Sequence, residues 1–181
     1  MDFKRSKTFA NLLTAYAGES QTESKYTFYA EQAEKEGQPA LAELFSRVAE
    51  QEKRHTKIWF TLLHGGETPG LQRLLEDAAD GEHFEWSELY ASFAETAKEE
   101  GFEQMARQFH YAAGIEREHE QLFRLWARRL SEGRLYADDQ AQDWHCQSCG
   151  YRTAGTAAPH VCPFCKEAEG SFTRADPLAF R

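Results

Sequence analysis

Cysteine is missing from the first 145 residues of this 181-residue chain, and all four cysteines lie between positions 146 and 165. Disulfide-stapled secreted domains spread their cysteines more widely, so this distribution favours metal binding by reduced thiolates. Long apolar runs are also missing: nowhere do about 18 apolar residues follow one another, and the N-terminus lacks the apolar stretch of a signal peptide. The sequence therefore predicts a cytoplasmic protein with no membrane segment.

Basic residues are scarce relative to acidic ones. The chain has 21 Lys and Arg against 30 Asp and Glu, which gives a formal net charge of −9. A negative overall field repels a phosphate backbone, so nucleic acid is not expected as a partner. The length allows one domain of good size, or a domain followed by a small module.

Apolar residues at helical spacing predict four long helices in the first 132 residues. Glycine-containing segments separate them, and residues 65–70, with the sequence GGETPG, are the clearest breaker. Asp80-Gly81 could cap a fresh start, which leaves the continuity of the third helix open. If that helix continues, its apolar stripe extends through Leu89 and Phe93. The predicted helices cover about residues 6–36, 39–64, 71–100 and 102–132.

Two E-x-x-H motifs occupy the centres of the second and fourth helices, as Glu52 with His55 and Glu116 with His119. Positions i and i+3 lie on one face of a helix, and here that face is the apolar stripe. A buried carboxylate beside a buried imidazole needs a counter-charge, and a metal ion is the commonest one. Three further glutamates fall on the stripes of the first and third helices: Glu19, Glu82 and Glu85.

This ligand pattern is typical of di-iron and di-manganese carboxylate proteins. Their four-helix bundles supply one Glu from each of two helices and an E-x-x-H from each of the other two. The sequence meets that pattern and adds one carboxylate, a donor set that suits iron or manganese. One such motif alone is more often a surface feature, but matches on four stripes argue against coincidence. Several look-alikes lie off the stripe or at helix ends and are interpreted as solvated or packing residues: His64, His83, His110, Glu31, Glu34, Glu100 and Glu103.

The helical period disappears after residue 132. Residues 133–143 are polar and lack a stripe, which predicts a linker, and residues 144–181 contain two C-x-x-C knuckles. So short a module buries little core, so a metal is expected to hold it together. Four thiolates can enclose a tetrahedral metal, although their spacing alone does not separate iron from zinc. The four cysteines are Cys146, Cys149, Cys162 and Cys165.

With both sets of ligands in view, the chain resembles the rubrerythrins over nearly its whole length. The resemblance implies a mainly α protein, with a ferritin-like di-iron four-helix bundle in residues 1–132. A linker follows in residues 133–143, and a rubredoxin-like β/loop iron module in residues 144–181. The motifs that carry it are AYAGESQTESKYTFYA, EQEKRH, GEHFEWSELYASFAETAKEEGF and IEREHE in the four helices, and WHCQSCGYRTAGTAAPHVCPFCK in the tail.

The function that this resemblance implies is that of a peroxidase. Hydrogen peroxide would be reduced to water at a non-haem di-iron centre, in defence against oxidative stress. Electrons would come indirectly from NAD(P)H, through a reductase or rubredoxin-like protein, and enter at the four-cysteine iron. Two alternatives remain open: oxidation and sequestration of ferrous iron in the ferritin manner, and electron transfer without peroxide turnover.

The resemblance also implies roles for individual residues. Glu52 and Glu116 match the bridging carboxylates, and His119 matches a permanent iron ligand. Glu85 and His55 match the carboxylate and imidazole that the family exchanges on one iron when its redox state changes. The implied di-iron ligands are Glu19, Glu52, His55, Glu82, Glu85, Glu116 and His119, with Tyr26 and Tyr90 beside them. The implied ligands of the mononuclear iron are Cys146, Cys149, Cys162 and Cys165.

The connection between the second and third helices is short. Ferritin-like bundles place these helices parallel, so the chain must travel back roughly 35 Å at 1.5 Å per helical residue. Six or seven loop residues reach at most about 25 Å. We therefore expect a homodimer, domain-swapped through residues 64–80, in which each bundle takes two helices from each chain. A helix break at Asp80-Gly81 would instead allow an unswapped bundle, with residues 71–79 as the crossover.

Overall fold

The computed structural model describes residues 2–174, and the chain divides into two units after residue 69. The first unit consists of two helices that pack along each other, α1 (Lys7–Lys35) and α2 (Pro39–Leu63). Both helices begin and end within one or two residues of the positions that the sequence predicts. No helix in residues 2–174 is long and apolar enough to cross a membrane.

The helix connections are built from glycine and proline. Gly37 ends α1 in the left-handed conformation at φ +68°, and Pro39 takes the first position of α2, which is the usual arrangement at helix ends. Seven residues, 64–70, lead from α2 to the next helix. Gly65 and Gly66 both have positive φ, so the backbone of this connection turns rather than extends.

The second unit begins with one uninterrupted helical stretch. Helix α3 (Leu71–Phe84) continues past Asp80-Gly81 without a break. A π-helical turn (Glu85–Leu89) joins it directly to α4 (Tyr90–Glu99). Helix α5 (Glu103–Ser131) then packs along α3 and α4. The structure therefore has no helix break at Asp80-Gly81.

The π-turn shifts the phase of this helix. The Tyr90 backbone N–H donates to the carbonyl of Glu85, a bond from residue i+5 to residue i that accommodates one extra residue. Phe93, the last residue of the predicted apolar stripe, packs against α5, because its ring centroid lies 5.5 Å from that of Phe109. Phe93 is 41% exposed, and Ala97 is the buried residue of α4. The inserted residue shifts the positions that follow it by about 100° relative to an uninterrupted α-helix.

Alanine is the residue type that the helices bury. Among residues 2–174, the buried helical side chains are those of seven alanines, including Ala30, Ala49 and Ala79. Small side chains allow helices to approach closely, but they remove little apolar surface from water. Each helical unit therefore keeps larger apolar side chains on its surface. Examples are Leu13, Leu41, Leu44, Ile58 and Leu62 in the first unit, and Phe102, Met105 and Ile115 in the second.

A small antiparallel sheet follows α5 in the second unit. Its strands are β1 (Ala137–Cys146), β2 (Arg152–Ala157) and β3 (Phe172–Arg174), in the order β2-β1-β3. Residues 137–143, which the sequence assigns to the linker, are the first part of β1. Most of their side chains are exposed or half-buried, so this part of the strand has no apolar alternation to detect. Trp144 is buried at the centre of the sheet.

Asp138 attaches this sheet to α5. Its Oδ2 accepts hydrogen bonds from Arg129 Nη2 at 2.8 Å and from Arg174 Nη2 at 2.6 Å. The three side chains are at most 16% exposed. Hydrogen bonds from Arg129 hold the pKa of Asp138 well below its usual range, because they outweigh the opposing effect of burial. The small module is thereby fixed on the C-terminal end of α5.

We expect Asp138→Asn to lower the free energy of unfolding of the second unit by about 3 kcal/mol, because two buried guanidinium groups lose their shared anion. Urea unfolding of the full chain, followed by tryptophan fluorescence, measures the change. The lowered pKa of Asp138 sets the pH dependence of this contribution to stability. The contribution is present above pH 3.8, the ordinary pKa of an aspartate. It is lost as the pH falls towards the lower pKa of Asp138 in the folded protein.

Asp139→Asn is the matched control for this substitution. Asp139 also pairs with an arginine, Arg134, but its side chain is 86% exposed. Its replacement is expected to cost less than about 1 kcal/mol. Equal losses in the two variants would contradict the special role of Asp138.

Candidate metal centres

The first unit gathers one carboxylate from α1 with an E-x-x-H pair from α2. His55 Nδ1 lies 2.9 Å from Glu52 Oε2 and 3.7 Å from Glu19 Oε2. One ligand atom from each residue lies within 4.8 Å of the others. The Glu52 side chain is 19% exposed and that of His55 is 51% exposed, so the group faces the surface of this unit.

The second unit repeats this arrangement with α3 and α5. His119 Nδ1 lies 2.7 Å from Glu116 Oε2 and 3.9 Å from Glu82 Oε1, and the three residues again offer ligand atoms within 4.8 Å of one another. Glu85, at the start of the π-turn, lies outside this group, although its charge contributes to the raised pKa of Glu82. Six of the seven predicted ligands thus form two groups of the same composition.

Burial and the contacts between neighbouring carboxyl groups shift the pKa values in both groups. A hydrogen bond with Glu52, together with burial, raises the pKa of Glu19, and the same bond lowers the pKa of Glu52. Burial raises the pKa of Glu82, and the charge of Glu116 raises it further. Oxygen donors that repel one another in this way are stabilised by a cation held between them. The donor chemistry of both groups therefore fits a metal ion.

The two predicted tyrosines have different surroundings. Burial raises the pKa of Tyr90, and the negative charges of Glu85 and Glu116 raise it further, so Tyr90 lies beside the second group. Tyr26 packs among aromatic rings, with its centroid 6.1 Å from that of Phe45. The structure thus connects Tyr90 electrostatically with predicted ligands, whereas Tyr26 contacts aromatic rings and the Lys25 ammonium group, which lies 5.3 Å from its ring centroid.

Two residues beside the second group, Trp86 and Glu120, could not be predicted from the sequence. Trp86 Nε1 donates a hydrogen bond of 2.6 Å to Glu120 Oε2. His83, which was assigned to a solvated face, is half-exposed and lies 3.1 Å from the same oxygen. The one available signal was that Glu120 follows Glu116 by four residues, which places it on the neighbouring part of the same helix surface.

The four cysteines form a separate group in the sheet module. The sulfur atoms of Cys146 and Cys165 are 3.7 Å apart, as are those of Cys149 and Cys162. A tetrahedral metal with metal–sulfur bonds of about 2.3 Å has sulfur–sulfur edges of about 3.8 Å. The spacing of the thiols therefore fits one tetrahedral metal ion.

Two similar turns present these thiols. The backbone N–H of Gly150 donates to the carbonyl of Cys146 at 2.9 Å, and that of Lys166 donates to Cys162 at 3.0 Å. Gly150 and Lys166 both adopt the left-handed conformation. A hydrogen bond with the Ser171 hydroxyl lowers the pKa of Cys146 to about 6, which favours the thiolate that binds metal.

Two family profiles match this chain, one over the helices that carry the predicted ligands and one over the four-cysteine group. A profile of the rubrerythrin family matches residues 10–127, and one described as the rubredoxin-like domain of rubrerythrin matches residues 144–173. Rubrerythrin of Nitratidesulfovibrio vulgaris is 39% identical, over 93% of this chain and 94% of its own length. Rubrerythrin of Porphyromonas gingivalis is also 39% identical, over 93% and 90%.

A solved structure of nigerythrin in a partially reduced state is 26% identical, over 93% of this chain and 87% of that one, with a TM-score of 0.37. The family assignment therefore rests on sequence. The two matched profiles cover both the helical ligand groups and the four-cysteine group. The cofactors are accordingly a di-iron centre and one iron held by four cysteines. The chain belongs to the rubrerythrin family, a family of iron-dependent oxidoreductases.

Proposed function

We propose that this protein is a peroxidase that reduces hydrogen peroxide to water at the di-iron centre, with electrons that enter through the four-cysteine iron. The observation that carries the proposal is the attachment of the four-cysteine module to α5 by Asp138. Helix α5 also bears Glu116 and His119. An electron inlet fixed on a ligand-bearing helix suits repeated turnover, whereas iron storage alone requires no inlet.

The residues proposed to hold the di-iron centre are the seven of the two helical groups and the π-turn. A bound di-iron pair supplies the two electrons that cleave the O–O bond of peroxide, and two protons complete the formation of two water molecules. Glu52 and Glu116 are the proposed bridging ligands, and His119 is the permanent imidazole. Glu85 and His55 are the proposed pair that exchanges on one iron. The full set is Glu19, Glu52, His55, Glu82, Glu85, Glu116 and His119.

Tyr90 is the proposed hydrogen-bond donor of this site. Its pKa is raised by burial and by the carboxylates around it, so its hydroxyl stays protonated at neutral pH. A phenol in this state can donate a hydrogen bond to a carboxylate or to peroxide. Tyr26 is proposed for the same role beside the first group.

Electrons are proposed to enter at the less buried edge of the four-cysteine site. Cys146 and Cys162 are fully buried, whereas Cys149 and Cys165 are half-buried, so a partner would approach the second pair more closely. The proposed donor is a reductase or rubredoxin-like protein supplied by NAD(P)H. Reduced cysteines of this kind belong to a reducing compartment such as the cytoplasm.

The di-iron centre is proposed to form in a domain-swapped homodimer. Helix α2 ends at Leu63 and α3 begins at Leu71 without a break before Phe84, so the connection has seven residues. These reach at most about 25 Å, which is shorter than the return path of roughly 35 Å in an unswapped ferritin-like bundle. Each bundle would combine the first unit of one chain with the second unit of the other, which covers the exposed apolar side chains of both.

Peroxide and oxygen distinguish the proposed peroxidase from an iron-storage protein. Peroxide added to the fully reduced protein in a stopped-flow instrument should reoxidise both iron centres at least tenfold faster than an equal concentration of oxygen. Visible absorption of the four-cysteine iron and near-ultraviolet absorption of the di-iron centre report the two steps. Equal rates with the two oxidants would refute the peroxidase assignment and favour ferrous iron oxidation.

Replacement of a thiolate ligand tests the electron inlet. Cys149→Ser should abolish peroxide turnover driven by an NAD(P)H-dependent reductase, because the four-cysteine iron is lost or altered, while iron in the helical bundle is retained. Iron analysis and the rate of NAD(P)H oxidation measure these effects. Ser148→Ala, in the same knuckle, is the control and should turn over like the wild type. Unchanged turnover in Cys149→Ser would exclude the entry of electrons through the four-cysteine iron.

Complementation between two inactive chains tests the swap. In a swapped heterodimer of Glu52→Ala and Glu116→Ala chains, one bundle carries both substitutions and the other carries neither. Heterodimers isolated through two different affinity tags should therefore hold one intact di-iron centre, although each homodimer holds none. Iron per dimer is measured after purification.

The control for this experiment pairs a chain carrying both substitutions with a wild-type chain. A swapped heterodimer then has one damaged ligand set in each bundle and no intact centre, whereas an unswapped heterodimer keeps the wild-type centre. The opposite pattern of iron content, or a monomeric mass with all iron retained, would exclude the swap.

A further inference from the structure

The π-turn places a predicted ligand at the point where the helix changes phase. Glu85 is its first residue, and Tyr90 follows its last residue. Tyr90 follows Glu82 by eight positions, and in an uninterrupted α-helix their side chains would lie about 80° apart around the axis. The extra residue reduces this angle to about 20°. The π-turn thereby directs Glu82 and Tyr90 towards the same side.

Trp86, the second residue of the π-turn, is held by α5 at two points. Its indole Nε1 donates to Glu120 Oε2 at 2.6 Å. The guanidinium carbon of Arg117 lies 5.5 Å from the centroid of its ring, within the range of a cation–π contact. The edge and the face of the ring are therefore both in contact with α5.

Glu120 is itself fixed by three donors. Besides Trp86, its carboxylate accepts a hydrogen bond from Arg124 Nε at 2.7 Å and lies 3.1 Å from His83 Nδ1. Arg124 reaches on to Asp80 of α3 at 3.3 Å. The Glu120 side chain is only 13% exposed. Both of its oxygens are therefore engaged, Oε1 by Arg124 and Oε2 by Trp86.

The positions of these residues in the chain connect them with the metal ligands. Trp86 immediately follows Glu85, and Glu120 immediately follows His119. A hydrogen bond between the two side chains therefore joins the backbone of the π-turn to the backbone of the ligand-bearing part of α5. A π-turn is a local departure from the α-helical hydrogen-bond pattern, and the contacts of Trp86 with α5 restrict its movement at this point.

We propose that Trp86 and Glu120 are positioning residues of the di-iron centre, which hold the π-turn against α5 and thereby set the place of the Glu85 carboxylate. We call this pair the Trp86–Glu120 clamp. The inference rests on the proposed role of Glu85 as an iron ligand. Anchors of this kind around a metal site typically change metal affinity by about tenfold or more when removed.

Trp86→Phe tests the clamp, because it keeps the ring and removes the N–H donor. We expect a ferrous chelator to extract iron from the di-iron centre of the reduced holoprotein at about one tenth of the concentration required for the wild type. The four-cysteine iron, followed by its visible absorption, should be retained equally in both proteins. Glu120→Ala should act in the same direction.

Hydrogen exchange supplies a readout that does not depend on activity. Backbone amides of residues 85–90 in the holoprotein should exchange faster in Trp86→Phe, while those of α1 and α2 remain unchanged. Ser87→Ala is the matched control within the same turn. The Ser87 hydroxyl donates to the carbonyl of His83 at 2.6 Å and has no hydrogen bond with Glu120, so this variant should match the wild type in iron retention.

The outcomes separate the clamp from the peroxidase proposal. Faster amide hydrogen exchange and easier extraction of iron in Trp86→Phe would support the clamp, even if the wild type shows no preference for peroxide over oxygen. Wild-type iron retention and exchange in Trp86→Phe would overturn the clamp, whatever the turnover. Equal loss of iron from both metal centres, with faster exchange throughout the second unit, would also overturn it, because it would show a general structural effect.

Discussion

Mutual repulsion of carboxylates on apolar helix faces is the constraint on which this structure depends. A carboxylate removed from water costs several kcal/mol unless a cation or hydrogen-bond donors compensate it. In both units the nearest compensating group is an imidazole, 2.9 Å from Glu52 and 2.7 Å from Glu116. Each group also holds a second acidic side chain, Glu19 at 3.7 Å and Glu82 at 3.9 Å from the imidazole of its own group. The two units therefore hold groups of the same composition, and each group has the donor chemistry to bind a metal ion.

The packing of the helices follows from the same constraint. Alanines bring the paired helices together, while leucine, isoleucine, phenylalanine and methionine remain on the surface of each unit. Burial of these larger side chains would contribute about 25 cal/mol per Å² of apolar surface. The ligands and the exposed apolar side chains thus belong to the same helices. In the proposed swapped dimer, formation of the metal centre and completion of the core would therefore occur together.

Much of this arrangement was predictable from sequence. Helix boundaries at Gly37 and Pro39 and the two E-x-x-H pairs follow from periodicity and cap residues, and the four thiols follow from two C-x-x-C motifs. The π-turn could not be predicted from the sequence, because its i+5 bond depends on contacts with α5 that no local pattern encodes. The start of β1 was hidden by its polar composition. Glu120 was missed for a related reason: an acidic residue on a helix flank becomes recognisable only when Trp86 and Arg124 are seen beside it.

The π-turn also determines which change of chain length the site tolerates, which differs from sensitivity to composition. Loss of one residue between Glu85 and Leu89 would convert the turn to regular α-helix and leave Tyr90 about 20° from Glu82 around the axis. The direction of α4 would then be kept, and with it the contact of Tyr90 with Phe109, whose ring centroids are 6.2 Å apart. The loss would fall on the widened turn itself, which gives Glu85 and Trp86 their places. Relatives that share every ligand but lack one residue in this segment would be expected to keep the direction of α4 and to differ in the surroundings of Glu85.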